Sequence, residues 1–413
     1  MMDIDDAILE DQILDDRRIF TGSVPKEEIC AHPGFFAGMC MKCGQPADDD
    51  SAVPLKYIDK NLRIANNEMA RLRDKDFKDL LCHRRKLYLV LDLDHTLLNS
   101  ARLSDIKEEE EYLSSQRDAL PDALKTSLFR LDRMHMMTKL RPFVHTFLEE
   151  ASSMFEMYIY TMGERSYALE MAKLLDPSEK YFHSRIIAQG DCNRKYQKGL
   201  DIVLGKESAV LILDDTEAVW KEHHKDNLIL MDRYHFFASS CKNLGFSYSS
   251  LSQLRIDESE TEGALPTVLK ILRQIHSLFF DKGRKDNLED RDVRQVLKTV
   301  RNNVLRDCRI VFSRVFPTNF TGELHSLWRM AEQLGATCLA AVDPSVTHVV
   351  SLDSGTDKSR WAVKEKKFLV NPRWIEASNY LWKRQPEEKY YVTPAKNNRK
   401  NWPTNESHGT FER

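Results

Sequence analysis

The sequence predicts an α/β protein built around a parallel β-sheet. Between residues 80 and 250, short apolar runs typical of strands alternate with amphipathic segments typical of helices, and this alternation favours a parallel sheet. Two of the apolar runs end in a pair of carboxylates. The chain of 413 residues is 42% hydrophobic and 30% charged, so it can form two domains with sizeable cores.

The composition argues against several classes of protein. The net charge of −3 provides no general attraction for nucleic acid, and we expect no direct nucleic-acid binding. No apolar run approaches the roughly 20 residues that cross a bilayer, and the acidic N-terminus lacks the features of a secretory signal. Eight cysteines, three of them between positions 30 and 43, indicate a reducing compartment and one possible metal site.

The first part of the chain divides by its pattern into four pieces. Residues 1–56 are expected to form an acidic tail that contains a Cys/His segment. A charged helix is predicted over 57–84 and the first buried strand over 86–94. The polar, acidic stretch 103–118 is interpreted as an exposed insertion.

The remaining elements of the first domain follow in order. A helix is predicted after Pro142, where proline favours a helix start. Strands are predicted at 156–163, 208–220 and 227–234, and a helix at 165–176. Together these elements give a domain over 57–255.

A second, smaller α/β unit is predicted near the end of the chain. Two helices over 264–306 form a helical linker, assigned to 256–305, which leads into a unit over 306–395. Trp374 is expected to anchor the core of that unit. The tail 396–413 is expected to be disordered.

Polar side chains stand at the ends of three predicted strands. Asp92 and Asp94 end the first, Thr161 ends the second, and Asp214 and Asp215 end the third. Functional sites of open parallel sheets form outside the carboxyl ends of strands. These five oxygen-bearing groups are therefore expected to meet at one edge of the sheet.

Such a cluster suits phosphoryl transfer. Clustered carboxylates repel one another and need a cation, and all-oxygen ligands suit Mg²⁺. Lys198 can join them from a loop and neutralise phosphate charge, so that Asp92 can attack as a nucleophile. Asp94 can then protonate the leaving oxygen and deprotonate water.

A structural role is the alternative for each of these residues. A single Asp-x-Asp at a strand end is often a turn or a cap, Thr161 could be an ordinary strand-end hydroxyl, and Lys198 could be a surface lysine. Acids inside a continuous apolar run are costly unless they are paired. Two such runs in one chain favour a functional site.

The segment "LVLDLDHTLLNS" resembles the DxDxT motif of haloacid-dehalogenase-type (HAD) phosphatases. With "TKLRPFVHTFLEE", "YIYTMG" and "LILDDTEAVW", it is similar to the Fcp/Scp class, which dephosphorylates the C-terminal repeats of RNA polymerase II. The resemblance covers about 80–250 and implies a HAD-like parallel sheet with flanking helices.

The resemblance also implies roles for residues of this chain. Asp92 would be the nucleophile and Asp94 the general acid and base. Thr161 and Lys198 would contact phosphate, although Arg194 and Lys195 are alternatives to Lys198. A Mg²⁺ site would take Asp92, the backbone carbonyl of Asp94, Asp215 and, with it, Asp214.

The unit at 306–395 resembles a BRCT domain through "IVFS", "AEQLGATC", "VTHVVS" and Trp374. An Fcp-type domain followed by BRCT is similar to the larger Fcp branch and to plant CTD-phosphatase-like proteins. Some BRCT domains bind phosphoserine, and Ser313, Thr356 and Lys358 match that pocket by residue type. Arg314 stands where those domains usually have glycine, and a plain protein-docking surface is the alternative.

The N-terminal segment "CAHPGFFAGMCMKCGQ" contains four zinc-type ligands, Cys30, His32, Cys40 and Cys43. Four nitrogen and sulfur ligands would form a closed, structural Zn²⁺ site. Free thiols are the alternative.

These observations predict a nuclear, Mg²⁺-dependent protein serine phosphatase that acts on the repeats of RNA polymerase II through an aspartyl-phosphate. The alternatives are a HAD phosphatase for another phosphoprotein or a small phosphorylated metabolite, and an adaptor that binds phosphopeptides through BRCT. The serine preferred within the repeat, the BRCT partner and the oligomeric state are not predicted.

Overall fold

A computed structural model describes residues 30–46, 52–114, 120–243, 249–283, 286–317 and 320–392. The predicted acidic tail before residue 30 and the predicted disordered tail 396–413 lie outside these ranges. Within them, no helix combines the length and the apolar character needed to span a membrane.

A small antiparallel sheet contains the Cys/His segment. Its strands are β1 (Gly34–Phe36), β2 (Met39–Cys40), β3 (Ala52–Pro54) and β4 (Leu62–Ala65), in the order β2-β1-β4-β3. The long helix predicted over 57–84 is wrong in its first part, because residues 62–65 pair with both β1 and β3. The α-helix itself, α1, spans Asn66–Lys78, and a π-helical turn follows over Asp79–Arg84.

The first strand of the central sheet, β5 (Leu87–Leu91), is followed by an insertion. The insertion contains β6 (Leu98–Arg102), α2 (Asp122–Lys125), β7 (Leu128–Leu131) and β8 (Met136–Leu140). The three strands form a separate antiparallel sheet in the order β6-β8-β7, here called the insertion sheet. The sequence did not indicate this sheet.

The prediction that 103–118 is an exposed insertion is wrong for part of that stretch. Glu110 is fully buried and accepts hydrogen bonds from the Ala238 amide at 2.9 Å and the Ser252 hydroxyl at 2.5 Å. Leu113 is buried as well. The acidic run therefore ties the insertion to the segments that follow the central sheet.

The chain then completes the central sheet. Its further elements are α3 (Val144–Ser152), β9 (Phe155–Tyr160), α4 (Arg165–Leu175), β10 (Ile186–Ile187), β11 (Val210–Asp214) and β12 (Leu228–Leu230). All strands are parallel, in the order β10-β9-β5-β11-β12. β5 and β11 are buried along their whole length, as expected for a parallel sheet covered on both faces.

Helices α5 (Ala238–Asn243), α6 (Leu251–Leu254), α7 (Ala264–Phe279) and α8 (Val293–Asn302) connect the two α/β units. The two helices predicted for the linker are thus present. They are packed rather than extended: α7 contacts α3, and α8 contacts both α7 and the unit that follows.

The C-terminal unit contains β13 (Arg309–Ser313), α9 (Ser326–Gln333), β14 (Thr337–Leu339), β15 (His348–Ser351), α10 (Asp357–Lys364), β16 (Phe368–Val370) and α11 (Arg373–Tyr380). Its four parallel strands follow the order β14-β13-β15-β16. β14 was not predicted. Trp374 is fully buried, stacks on His348 and donates its indole N–H to the Gln385 carbonyl at 2.9 Å.

Trp382, just after α11, joins the C-terminal unit to the first domain. It belongs to the same apolar cluster as the central sheet, α3 and α7, and the Arg301 guanidinium of α8 lies over its ring. The HAD-like fold with a helical connection and a smaller α/β unit, predicted from the sequence, is confirmed.

Candidate active site

The three predicted polar strand ends lie side by side. β9, β5 and β11 are neighbours in the central sheet, and Thr161, Asp92 and the pair Asp214–Asp215 stand at their carboxyl ends. All of them line a pocket of about 370 Å³, together with Asp94 and Lys198. The structure therefore brings together the whole set of residues that the sequence singled out here.

Lys198 lies at the centre of the pocket. Its ammonium donates hydrogen bonds to Asp92 Oδ1 at 2.5 Å and to Asp214 Oδ2 at 2.6 Å, and all three side chains are buried. Asp214 Oδ2 also accepts the indole N–H of Trp220 at 2.9 Å. Of the three basic residues the sequence offered, Lys198 contacts the aspartates, while Arg194 and Lys195 are not part of the pocket wall.

The charges of this cluster depend on one another. Burial raises the pKa of the Asp92 carboxyl well above its usual value, and Asp214, Asp215 and Asp94 add to the rise against the opposing effect of Lys198. Burial would lower the pKa of the Lys198 ammonium, but the two carboxylates outweigh it and raise that pKa. Lys198 is therefore held in its charged form, and the Arg233 guanidinium, 2.7 Å from Asp215 Oδ2, is a second cation in the pocket wall.

The donor set fits a small divalent cation. One oxygen from each of Asp92, Asp214 and Asp215 lies within 4.8 Å of the others. Ligands across an octahedral Mg²⁺ with bonds of about 2.1 Å are roughly 4.2 Å apart, so little movement is needed. The carboxylate of Asp94 is not in this group; only its backbone carbonyl would serve, as the resemblance implies.

Asp94 is held by a hydrogen bond from outside the predicted set. The Tyr167 hydroxyl on α4 donates to Asp94 Oδ1 at 2.5 Å and lies 2.8 Å from Ser100 Oγ on β6. Burial raises the pKa of the Asp94 carboxyl, partly offset by this hydrogen bond. A carboxyl with a raised pKa and a fixed orientation suits a general acid and base.

A buried arginine braces the loop behind the two aspartates. Arg141 donates to the Thr96 carbonyl at 2.9 Å and the Asp232 carbonyl at 3.0 Å. Its charge is balanced by two hydrogen bonds to Glu258, at 2.9 and 2.6 Å. The loops after β5 and β12 are thereby held together by hydrogen bonds to the same side chain, that of Arg141.

A second, larger cleft opens beside the catalytic pocket. It has a volume of about 1480 Å³ and lies between the insertion sheet and α4, with Asp94 and Tyr167 in its wall. The cleft and the pocket share Asp94 and Gly163 in their walls, so the two adjoin.

The four N-terminal ligand candidates are also close together. Cys30, His32, Cys40 and Cys43 each place a ligand atom within 4.8 Å of the others. The Cys30 and Cys40 sulfurs are 3.9 Å apart, near the roughly 3.8 Å between thiolates on one tetrahedral zinc. The amides of His32 and Lys42 donate to the sulfurs of Cys30 and Cys40, each two residues earlier.

In the C-terminal unit, Ser313 and Thr356 are in contact, with their hydroxyls 2.8 Å apart. The Lys358 ammonium donates to the carbonyl of Phe312, the residue before Ser313, and to the Ala340 carbonyl. Arg314 has a φ of 53°, the left-handed conformation that glycine favours.

Comparisons with known proteins agree with both units. Residues 87–258 match the NLI interacting factor-like phosphatase family, and residues 300–379 match the BRCT domain family. A relative from Arabidopsis thaliana, RNA polymerase II C-terminal domain phosphatase-like 4, is 57% identical over 364 residues, which cover 87% of this chain and 82% of the relative. This chain belongs to that phosphatase family.

More distant relatives extend the comparison. A second Arabidopsis thaliana relative, RNA polymerase II C-terminal domain phosphatase-like 3, is 41% identical over 78% of this chain but only 27% of its own length. The solved structure of Fcp1, an essential RNA polymerase II CTD phosphatase, covers 78% of this chain and 100% of its own with a TM-score of 0.61 and 24% identity. That likeness supports the fold. The predicted family is confirmed, and with it a phosphatase that carries a BRCT domain.

Sequence reasoning missed two residues that shape the site. Tyr167 lies in the helix pattern "RSYALEMAKLLD", where an aromatic residue looks like ordinary core. Arg141 stood inside the quoted motif "TKLRPFV" without an assigned role. The available signal was the pair of basic residues, Lys139 and Arg141, around Leu140 at the end of a strand, since such charges are buried only when they are paired.

Replacing Lys198 with methionine should lower kcat for an aryl phosphate by roughly 10²–10³-fold, because one fixed cation at the phosphoryl position is lost. Lys221→Met is the matched control, since Lys221 pairs with Asp201 nearby but is not part of the pocket wall. Steady-state kinetics on both variants, with circular dichroism to verify folding, make the comparison. Equal kcat in the two folded variants would remove Lys198 from the catalytic set.

Proposed function

We propose that this protein is a Mg²⁺-dependent phosphatase that removes phosphate from serine residues in the C-terminal repeats of RNA polymerase II, in the nucleus. The buried bridge from Lys198 to Asp92 and Asp214, at the edge of a parallel sheet, carries the proposal. The names of the relatives supply the substrate: two are called RNA polymerase II C-terminal domain phosphatase-like proteins.

Asp92 acts as the nucleophile in this scheme. Its carboxylate attacks phosphorus as the bond between phosphorus and the serine oxygen breaks, and Asp94 gives its proton to that oxygen. Lys198 and Thr161 bind the phosphoryl oxygens in the pocket they share. The product of this half-reaction is free serine and an acyl phosphate on Asp92.

The second half-reaction regenerates the enzyme. Asp94, now ionised and still held by Tyr167, takes a proton from water as that water attacks phosphorus. Phosphate leaves, and Asp92 is again a carboxylate. A Mg²⁺ ion bound by Asp92, Asp214, Asp215 and the carbonyl of Asp94 would supply the positive charge that offsets the phosphate and the clustered carboxylates.

The shape of the site favours a protein substrate over a small metabolite. The cleft of about 1480 Å³ is open along the insertion sheet, which suits a segment of extended chain. Enzymes for small phosphorylated metabolites usually enclose their substrate. Another phosphoprotein with an extended segment is the alternative substrate.

Asp92→Asn should lower phosphate release from a phosphorylated repeat peptide on the order of 10³-fold or more, since the nucleophile is lost. Activity of the unaltered protein should disappear with a magnesium chelator and return with added Mg²⁺. Acid quenching with a ³²P-labelled peptide should trap label on the unaltered protein and none on Asp92→Asn. Asp201→Asn, which removes a carboxylate outside the pocket wall, is the control. Full turnover by Asp92→Asn would rule out this mechanism.

We also infer that the N-terminal cluster binds a structural Zn²⁺ ion. Burial opposes ionisation of the Cys40 thiol, but hydrogen bonds from nearby amides and from His32 lower its pKa to about 6. A thiolate is the form that binds zinc. The ion would clamp β1 and β2 and, through β4, the start of the first domain.

The protein purified without chelator should contain about one zinc per chain, because the cluster supplies four ligands to one closed site. Cys40→Ala should lose this zinc, whereas Cys82→Ala, which alters an exposed cysteine outside the cluster, should retain it. Mass spectrometry of the metal content decides the question. Equal zinc in both variants, or none in the unaltered protein, would contradict the assignment.

We further propose that the BRCT unit binds a phosphoserine peptide through Ser313, Thr356 and Lys358. The contact between the two hydroxyls and the nearby ammonium supports this role, as does the left-handed backbone of Arg314. Such binding would hold a phosphorylated partner or substrate near the catalytic site.

In an Asp92→Asn background, which keeps the peptide intact, Ser313→Ala should weaken binding of a phosphoserine peptide by roughly tenfold through loss of one charge-assisted hydrogen bond. Lys364→Met is the control, since this exposed lysine lies on the same helix, α10, outside the pocket. Fluorescence anisotropy with phosphorylated and unphosphorylated peptides measures the effect. Unchanged affinity in Ser313→Ala would leave only a protein-docking role for this unit.

A further inference from the structure

The large cleft beside Asp94 has a basic wall that the catalytic scheme does not use. Arg102, at the end of β6, and Arg133, just after β7, line it on the side of the insertion sheet. Tyr167 and Glu170 of α4 line the opposite side. The cleft is thus continuous with the catalytic pocket and has one cationic wall.

Arg102 and Arg133 have no ionic partner within the described ranges. Both side chains are exposed, and neither forms a hydrogen bond or ion pair with another described residue. Arg130, in the same wall, is paired with Asp132 at 2.7 Å. Two unpaired guanidinium groups facing one cleft are suited to an anion from outside the chain, since arginine binds phosphate through two parallel hydrogen bonds.

The strand β6 sets the backbone offset of Arg102 from the loop that carries Asp94. β6 leaves the catalytic loop at Leu98, whose carbonyl accepts the amide of His95 at 2.7 Å. Arg102 is four residues further, about 13 Å along a strand that rises ~3.4 Å per residue. Arg102 pairs with Met136 across the insertion sheet, and the Leu103 amide donates to the His135 carbonyl at 2.9 Å. The turn that carries Arg133 therefore lies next to Arg102.

We propose that Arg102 and Arg133 bind a second phosphate on the substrate peptide, three or four residues from the phosphoserine that is hydrolysed. An extended peptide also rises ~3.4 Å per residue, so four of its residues span the same length as the segment of β6 from Leu98 to Arg102. This inference rests on the proposed function, because it assumes a phosphopeptide in the cleft. It makes the enzyme selective for multiply phosphorylated chains.

The opposite wall argues for a peptide and against a nucleic acid. Glu164 and Glu170 line the α4 side of the same cleft, and a continuous polyanion would meet their charges. A peptide with isolated phosphates can place one phosphate on the arginines and uncharged backbone against the glutamates. The two walls of the cleft therefore favour a ligand by the spacing of its negative charges as well as by their sign.

Peptides of one length provide the test: one with a single phosphoserine, and four with a second phosphoserine three or four residues before or after it. We expect at least one doubly phosphorylated peptide to have a kcat/KM roughly tenfold higher than the single one, mainly through a lower KM. The double variant Arg102→Ala/Arg133→Ala should remove this preference while retaining turnover of the single peptide and of an aryl phosphate.

A matched control removes the same charge elsewhere. Arg71→Ala/Lys78→Ala deletes two exposed cations from α1, which does not line the cleft, and should retain the preference. Because all four side chains are exposed, folding of both double variants can be verified by circular dichroism.

The outcomes are distinguishable. If the aryl phosphate is hydrolysed but none of the five peptides, the proposed protein-phosphatase function fails. If the single peptide is hydrolysed and the doubly phosphorylated peptides are no better, or the preference survives in Arg102→Ala/Arg133→Ala, this inference fails. If an RNA oligonucleotide inhibits the unaltered protein but not that double variant, the basic wall binds nucleic acid and the inference is overturned.

Discussion

The rest of the active site depends on one buried ammonium. Lys198 occupies the space between Asp92 and Asp214, which the parallel pairing of β5 and β11 places side by side. Without a cation there, two desolvated carboxylates would face each other at the sheet edge at a large electrostatic cost. The lysine allows both carboxylates to remain close together in a buried pocket. The rings of Trp220 and Tyr160 lie within 6 Å of the ammonium and help to exclude water from the pocket.

The sequence predicted the fold because its strongest patterns are local. Apolar runs ending in "DLD" and "LDD" identify β5 and β11, and the alternation of strands with helices is sufficient to predict a parallel sheet, which is confirmed. The roles of Asp92, Asp94, Thr161 and Lys198 remain predictions, although the structure brings these residues to one pocket.

What the sequence did not predict depends on contacts between distant segments. Glu110 looked like part of a solvated acidic run, yet it accepts a hydrogen bond from the Ala238 amide, 128 residues away. β4 was assigned to a helix because its strand character comes from pairing with β1 and β3, the strands of the Cys/His segment. Tyr167 looked like core because nothing in its helix pattern shows that its hydroxyl reaches Asp94. In each case the deciding partner lies far along the chain or on another element.

The pairing of Arg141 with Glu258 has a consequence for how the protein is made. The two residues are 117 positions apart, and the charge of the arginine that braces the loop behind Asp92 and Asp94 is balanced only when both are present. During synthesis from the N-terminus, every strand of the central sheet leaves the ribosome before Glu258 does. Until then the Arg141 guanidinium lacks its carboxylate, and burying it would be unfavourable. The ion pair that braces the loop behind Asp92 and Asp94 can therefore form only after the sheet that carries this loop has been translated.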